Sequence, residues 1–216
     1  MFKNRLEAGD KLAREIEKLT NNIVLLAIAR GGVPVAYAVA QRLRLPLDVI
    51  VARKIPIPWS PEAGFGAVAP DGTVVLNEPL VASLELSPEE IEREVLKVKE
   101  EIERRSKEYR GSRPPLRLQA KTAVIVDDGL ASGYTMLAAI ESAKKHQASK
   151  VVVAVPVSPV SSVRLIEPHV DKLICLLCQK RIAFAVADYY EEWEDVTDKE
   201  VIEYLRKAGE WMKDEK

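Results

Sequence analysis

The chain has 216 residues, enough for one ordinary domain with a small appendage, and its 47% hydrophobic content can build a full core. Lys plus Arg number 32 against 33 Asp plus Glu, a net charge of -1, which leaves none of the basic excess that nucleic-acid binding requires. Cys175 and Cys178 form a lone C-x-x-C with His146 and His169 far off in sequence, so no four-ligand zinc site assembles locally. The pair reads as small hydrophobes on or beside a buried strand.

Met1-Phe2-Lys3-Asn4-Arg5 leads directly into charged amphipathic sequence without the apolar core of a signal peptide, and no apolar run approaches a membrane span. A cytoplasmic protein with no membrane partner is expected. Further along, five short runs rich in Val, Ile, Leu and Ala occupy residues 23–29, 47–52, 122–126, 151–157 and 173–177. They are continuous rather than alternating, the pattern of strands covered on both faces. Helix-like stretches at 33–42, 133–146 and 161–167 separate several of them. The expected fold class is α/β, a doubly wound, mainly parallel sheet.

Two segments interrupt the alternation. Residues 65–76 place Asp71-Gly72 between two β-like runs, a hairpin signal. Ser87-Pro88-Glu89-Glu90 then supplies an N-cap, a proline at the first helical position and the acid of a capping box, predicting a long helix to about Tyr109. Its apolar positions Ile91, Val95, Val98 and Ile102 fall on one stripe. The stripe either covers a core edge or makes a homodimer contact. Residues 111–116, with two prolines, lead back to the sheet, and a last helix is expected over 197–207.

The strand at 122–126 ends in Asp127 and Asp128, then passes through Gly129, Leu130, Ala131, Ser132 and Gly133 into a helix that begins near Tyr134 and Thr135. Free backbone N–H groups, the Ser132 and Thr135 hydroxyls and the positive end of that helix make a pocket for a phosphate. Glycines permit close backbone approach. Beside the pocket, two carboxylates can accept hydrogen bonds from vicinal hydroxyls, directly or through bound magnesium. A ribose 5-phosphate presents both features. The absence of Gly-Lys-Ser/Thr excludes a Walker loop.

Those dozen residues resemble the signature of the type I phosphoribosyltransferases: two acids, two or three small or apolar residues, then Thr/Ser-Gly-x-Thr. Arg30-Gly31-Gly32, at the end of the first apolar run, resembles that family's diphosphate loop, and Arg53-Lys54 its basic pair. With the hairpin, the charged helix and residues 184–193, the similarity extends over most of the chain, to a group of uncharacterised prokaryotic phosphoribosyltransferase-like proteins. It implies one domain over 1–216, with 62–112 as inserted hairpin and helix and 178–216 as a C-terminal hood and helix. Tyr189, Tyr190 and Trp193 fall in the hood, where an aromatic ring can carry an acceptor base or simply pack the last helix.

The reaction so implied is displacement of diphosphate from phosphoribosyl diphosphate by a nitrogenous base. Arg30 and Lys54 attend the leaving group, Asp127 and Asp128 attend the sugar and a magnesium cofactor, and the loop residues bind the phosphate. Hypoxanthine-guanine enzymes carry Asp before Thr-Gly; Ala131 stands there, which lowers the odds of a 6-oxopurine acceptor. A donor-binding regulator without transfer activity, or an interaction module built on the helix stripe, are the rival readings.

Overall fold

A computed structural model describes residues 1–19, 22–180 and 184–211. In chain order its elements are α1 (Arg5–Ile16), β1 (Ile23–Ile28), α2 (Gly32–Leu43), β2 (Leu47–Ile50), β3 (Arg53–Ile57), β4 (Ser60–Val68), β5 (Val74–Leu76), α3 (Glu78–Ser83) and α4 (Pro88–Arg110). β6 (Thr122–Val126), α5 (Tyr134–Lys145), β7 (Lys150–Pro159), α6 (Val160–Ile166), β8 (Lys172–Gln179) and α7 (Asp198–Trp211) follow, with short 3-10 turns at Glu167–His169 and Val186–Tyr189.

The five apolar runs are the strands of one parallel sheet in the order β2-β1-β6-β7-β8. Neighbouring residues feed opposite faces. Leu25, Val124 and Val152 pack under α1, α2 and α7 against Leu12, Val39 and Leu205, whereas Leu26, Ile125 and Val153 pack under α5 and α6 against Met136, Ile140 and Ile166. Burial on both faces is why the runs are continuous. From β1 the chain moves outward to β2, then returns to the other side of β1 at β6 and proceeds to β7 and β8. The carboxyl ends of β1 and β6, in register at Ala27 and Val126, therefore flank the point where winding reverses, the crevice in which open α/β sheets take ligands.

The hairpin forms between β4 and β5, closed by Ala69 N–H to Thr73 O at 2.8 Å and by Gly72, whose φ of 82° suits a residue without Cβ. A third strand, β3, joins it. Pro56, Pro58 and Pro61 mask that strand in the sequence, and the pairing slips on either side of Pro56, which has no N–H to give the ladder. Helix α4 starts on the expected capping box, Glu90 N to Ser87 Oγ at 3.2 Å and Ser87 N to Glu90 Oε2 at 2.9 Å. Val95, Val98 and Ile102 are buried in the chain's own core, with Ile91 packed beside them. The stripe covers a core edge, so it is not free for a homodimer or for a binding module.

Helix α1 was not among the expected elements. Asn4 caps it, accepting Glu7 N–H at 3.2 Å while Glu7 Oε2 accepts Lys3 N–H at 2.6 Å, and Leu12, Ala13 and Ile16 are buried against the sheet. The segment before α1 is stitched to the end of the last 3-10 turn and the stretch after it: Phe2 N to Tyr189 O at 2.8 Å, Glu191 N to Phe2 O at 2.9 Å and Glu192 N to Lys3 O at 2.8 Å. Among the described residues no helix is long and apolar enough to cross a membrane.

Candidate active site

The buried strand β6 delivers both aspartates to the crevice, but they face different surroundings. Asp127 lines the cavity there, and its Oδ1 accepts the Asp128 N–H at 2.9 Å. Burial, then the adjacent Asp128, push its carboxyl well above the usual carboxylate range. Asp128 does not line the cavity. It is 9% exposed, and its Oδ2 accepts Arg5 Nε at 2.8 Å. Burial raises this carboxyl too, with Arg5 opposing the rise. The sequence pairs Asp128 with Asp127 as a carboxylate open to sugar hydroxyls and magnesium. The structure corrects that: its partner is a buried guanidinium of α1, a residue that sequence reasoning passed over.

Beyond the aspartates, Gly129, Leu130, Ala131, Ser132, Gly133 and Thr135 all line the cavity. Leu130 N–H is fixed to Val157 O on β7 at 3.0 Å, the Ala131 carbonyl accepts the Ser162 hydroxyl of α6, and Gly133, at φ 87°, turns the chain into α5. The loop thus arrives at the amino end of α5 held from behind, with its open backbone facing the crevice. Tyr134 packs instead against the apolar layer beneath α5.

From the opposite side Arg30, Gly31, Arg53 and Lys54 complete the lining of a cavity of about 320 Å³. Gly31 lies on Asp128, since a Cβ built there would stand 2.0 Å from Oδ2, and Gly32 lies on β6, where a Cβ would stand 2.6 Å from Val126 O. Close approach of the two loops requires both glycines. Arg30 Nη1 is 3.7 Å from Asp198 Oδ1, and Arg105 Nη1 is 3.9 Å from the same oxygen, which also accepts the Tyr109 hydroxyl. Lys54 Nζ donates to the Glu62 carbonyl on the hairpin. Arg53 is half-buried, and burial, followed by the nearby Arg105, lowers its pKa; among the described residues no carboxylate lies within ion-pair distance of it. This side of the cavity carries positive charge without equal internal compensation.

The aromatic residues after the last 3-10 turn are placed differently from expectation. Tyr190 is buried between Phe2 and Trp193, with ring centroids 5.5 and 5.2 Å away, and its hydroxyl donates to Asp128 O at 2.7 Å. Burial pushes that hydroxyl's pKa up, keeping it a donor. Trp193 lies under Arg5, whose guanidinium carbon is 3.8 Å from the ring centroid. These rings support the carboxylate loop from below, and Tyr190 has no free face for an acceptor. Val186 reaches the cavity instead, resting on Gly129, where an added Cβ would stand 2.7 Å from Val186 Cγ1. An adjoining cavity of about 470 Å³ shares Ala131 and is lined by Pro159, Val160, Ser161, Gln179, Lys180 and Phe184. Part of the expected hood, residues 181–183 and 212–216, lies outside the described residues.

Among the described residues no three His, Cys, Asp or Glu side chains gather into a metal cluster. What the cavity offers a cation is the single carboxylate Asp127. That fits a magnesium ion taking most of its ligands from phosphate oxygens and water, and does not fit a caged ion. Of the cysteines, Cys175 sits half-buried in β8 with its thiol pushed up to about 12 by burial, and Cys178 is exposed.

Comparison with known proteins decides the family. The profile of the phosphoribosyl transferase domain matches residues 2–63 and 69–192. The chain belongs to that family. Relatives from two strains of Mycobacterium tuberculosis, provisionally named phosphoribosyl transferases, are 39% identical over 209 residues, 96% of this chain and 47% of theirs. The chain therefore spans about half the length of these curated relatives. A crystal structure of the protein TT1426 from Thermus thermophilus superposes with a TM-score of 0.78 at 33% identity, covering 95% of this chain and 98% of that one. The protein AQ2163 from Aquifex aeolicus, at 15% identity and a TM-score of 0.53 over 83% of this chain and 76% of its own, shares the fold.

Proposed function

We propose that this phosphoribosyl transferase domain moves 5-phosphoribosyl from phosphoribosyl diphosphate to a nitrogenous base and releases diphosphate. The supporting observation is the cavity at the sheet's switch point, which joins a phosphate-cradling helix terminus and one free carboxylate on one wall to three cationic side chains on the other. Donor phosphate binds at the Gly129–Gly133 loop and Thr135. Asp127 accepts from the ribose hydroxyls. Diphosphate leaves toward the Arg30–Gly31–Gly32 turn, with Arg53 and Lys54 beside it. Charge grows on the leaving group as its bond to C1′ stretches, so cations fixed before reaction lower the barrier without reorganising. Holding both ends of the donor in one orientation removes the entropy cost of the encounter. Magnesium bound to the donor would add further neutralisation of the diphosphate, with Asp127 as its protein ligand.

The adjoining cavity is the reading's acceptor site, with Phe184 offering an aromatic surface and Gln179, Ser161 and Lys180 polar groups, replacing Tyr190 and Trp193 in that role. Ala131, at the boundary of both cavities, supplies no carboxylate for proton exchange with a base. The deciding experiment is a screen of bases and small amines for diphosphate release from the donor. Release that depends on the added base supports transfer; tight donor binding with no release for any acceptor turns the reading into a donor sensor.

A further inference from the structure

Arg5 does not line the cavity, yet it holds a residue that links the two loops that form it. Its guanidinium donates through Nε to Asp128 Oδ2 at 2.8 Å and through Nη1 to Glu194 O at 2.7 Å, and it lies over Trp193 at 3.8 Å. Asp128 in turn bears on Gly31 of the facing loop, so closely that no Cβ fits between them. From below, Tyr190 fixes the Asp128 carbonyl at 2.7 Å. One carboxylate therefore touches both cavity-forming loops, and one guanidinium holds that carboxylate.

We propose that Arg5 is a positioning residue: it pins Asp128 beneath Gly31 and so sets the separation between the carboxylate-phosphate loop and the Arg30 loop, leaving Asp127 alone to meet the ligand. The inference rests on the donor-binding reading above. A planar guanidinium suits the task because it can donate along two directions while stacked on an indole; a lysine ammonium keeps the charge and loses the fixed fork and the stacking face. The two loops belong to different strands and, among the described residues, share no backbone hydrogen bond within the crevice besides the sheet register, so their spacing is set by packing, of Gly32 on β6 and of the clamped Asp128 side chain on Gly31.

The test separates spacing from general stability. Phosphoribosyl diphosphate spans both loops. Ribose 5-phosphate engages only the loop after β6, and diphosphate only the loop after β1 and the start of β3. Calorimetric titration of Arg5→Lys, with circular dichroism to verify folding, should show donor affinity reduced at least tenfold and each fragment changed less than threefold. Trp193→Leu, which removes the stacking face but keeps the ion pair, should shift the donor in the same direction by a smaller factor, and it decides the question if Arg5→Lys does not fold. Donor affinity unchanged in folded variants, or donor and both fragments weakened by one common factor, overturns the proposal. Wild-type protein that binds neither donor nor fragment overturns the donor reading itself, and this inference with it.

Discussion

The two walls of the cavity treat charge in opposite ways. Behind the β6 wall, Asp128 is enclosed with Arg5, which stacks on Trp193, and its carbonyl is braced by Tyr190, so its charge is satisfied within the protein. On the facing wall, Arg30 has Asp198 no nearer than 3.7 Å, and Arg53 is half-buried near Arg30 and Arg105 with no ion-pair partner of its own among the described residues, since the adjacent Glu101 pairs with Arg105 at 2.6 Å. A satisfied charge contributes to folding and is lost to binding; an unsatisfied one strains the fold slightly and stays available to an anion. The comparison teaches which charges of a recognised motif are paired within the protein and which line the cavity unpaired, a distinction that residue type alone does not draw.

Breaking the satisfied wall should have the largest effect. Asp128→Asn leaves Arg5 buried without its counter-charge, which costs about 3 kcal/mol, or a fall of roughly 6–12 °C in melting temperature for a chain of this size; a thermal scan reads it. The neighbouring Asp127→Asn should leave stability within about 1 kcal/mol yet reduce donor affinity about tenfold to a hundredfold, as loss of a hydrogen bond to a charged group predicts. Equal destabilisation by the two substitutions would erase the distinction between the aspartates.

On the other wall the signs reverse. Arg53→Met removes a half-buried cation among like charges, so melting temperature should hold or rise by a few degrees while diphosphate affinity drops about tenfold, both measurable on one preparation. A melting temperature that falls with the affinity would mean that Arg53 is needed by the fold. Asp198→Asn carries the smallest effect. It frees Arg30 from its carboxylate while Arg105 keeps Glu101 at 2.6 Å, and diphosphate affinity should rise about threefold at low salt, with the gain fading as salt screens the site; a loss of affinity would show that Asp198 aligns Arg30 instead of competing for it.

Much of this was readable beforehand, and the unread parts have physical causes. Continuous apolar runs identified the five strands because each is buried on two faces, and the capping box at Ser87 located α4 to within a residue of its end. The loop from Asp127 to Thr135 was legible as a strand-to-helix turn beside the crevice because small residues and glycines follow a buried strand there. What escaped were relations made by tertiary contact. Arg5 gave one available signal, since Asn4 and Glu7 bracket it as a helix start, but nothing local tells that its guanidinium meets a carboxylate 123 positions away. Tyr190 and Trp193 were rightly placed near the site in sequence, yet which face of a ring is free depends on Phe2 and Arg5 arriving from elsewhere. Strand β3 was hidden by Pro56 and the prolines that follow it, and Pro56 tolerates an edge pairing only with slips in register.

The stitching of Phe2 and Lys3 to residues 189–192 bears on the order in which the molecule assembles. These bonds close the longest loops of the fold, and such contacts form late because the chain entropy they consume is repaid only after the sheet exists. The floor under Asp128 is consequently a late piece of construction. A refolding chain acquires its parallel sheet first and a competent pocket afterwards, so recovery of ligand binding should lag recovery of secondary structure.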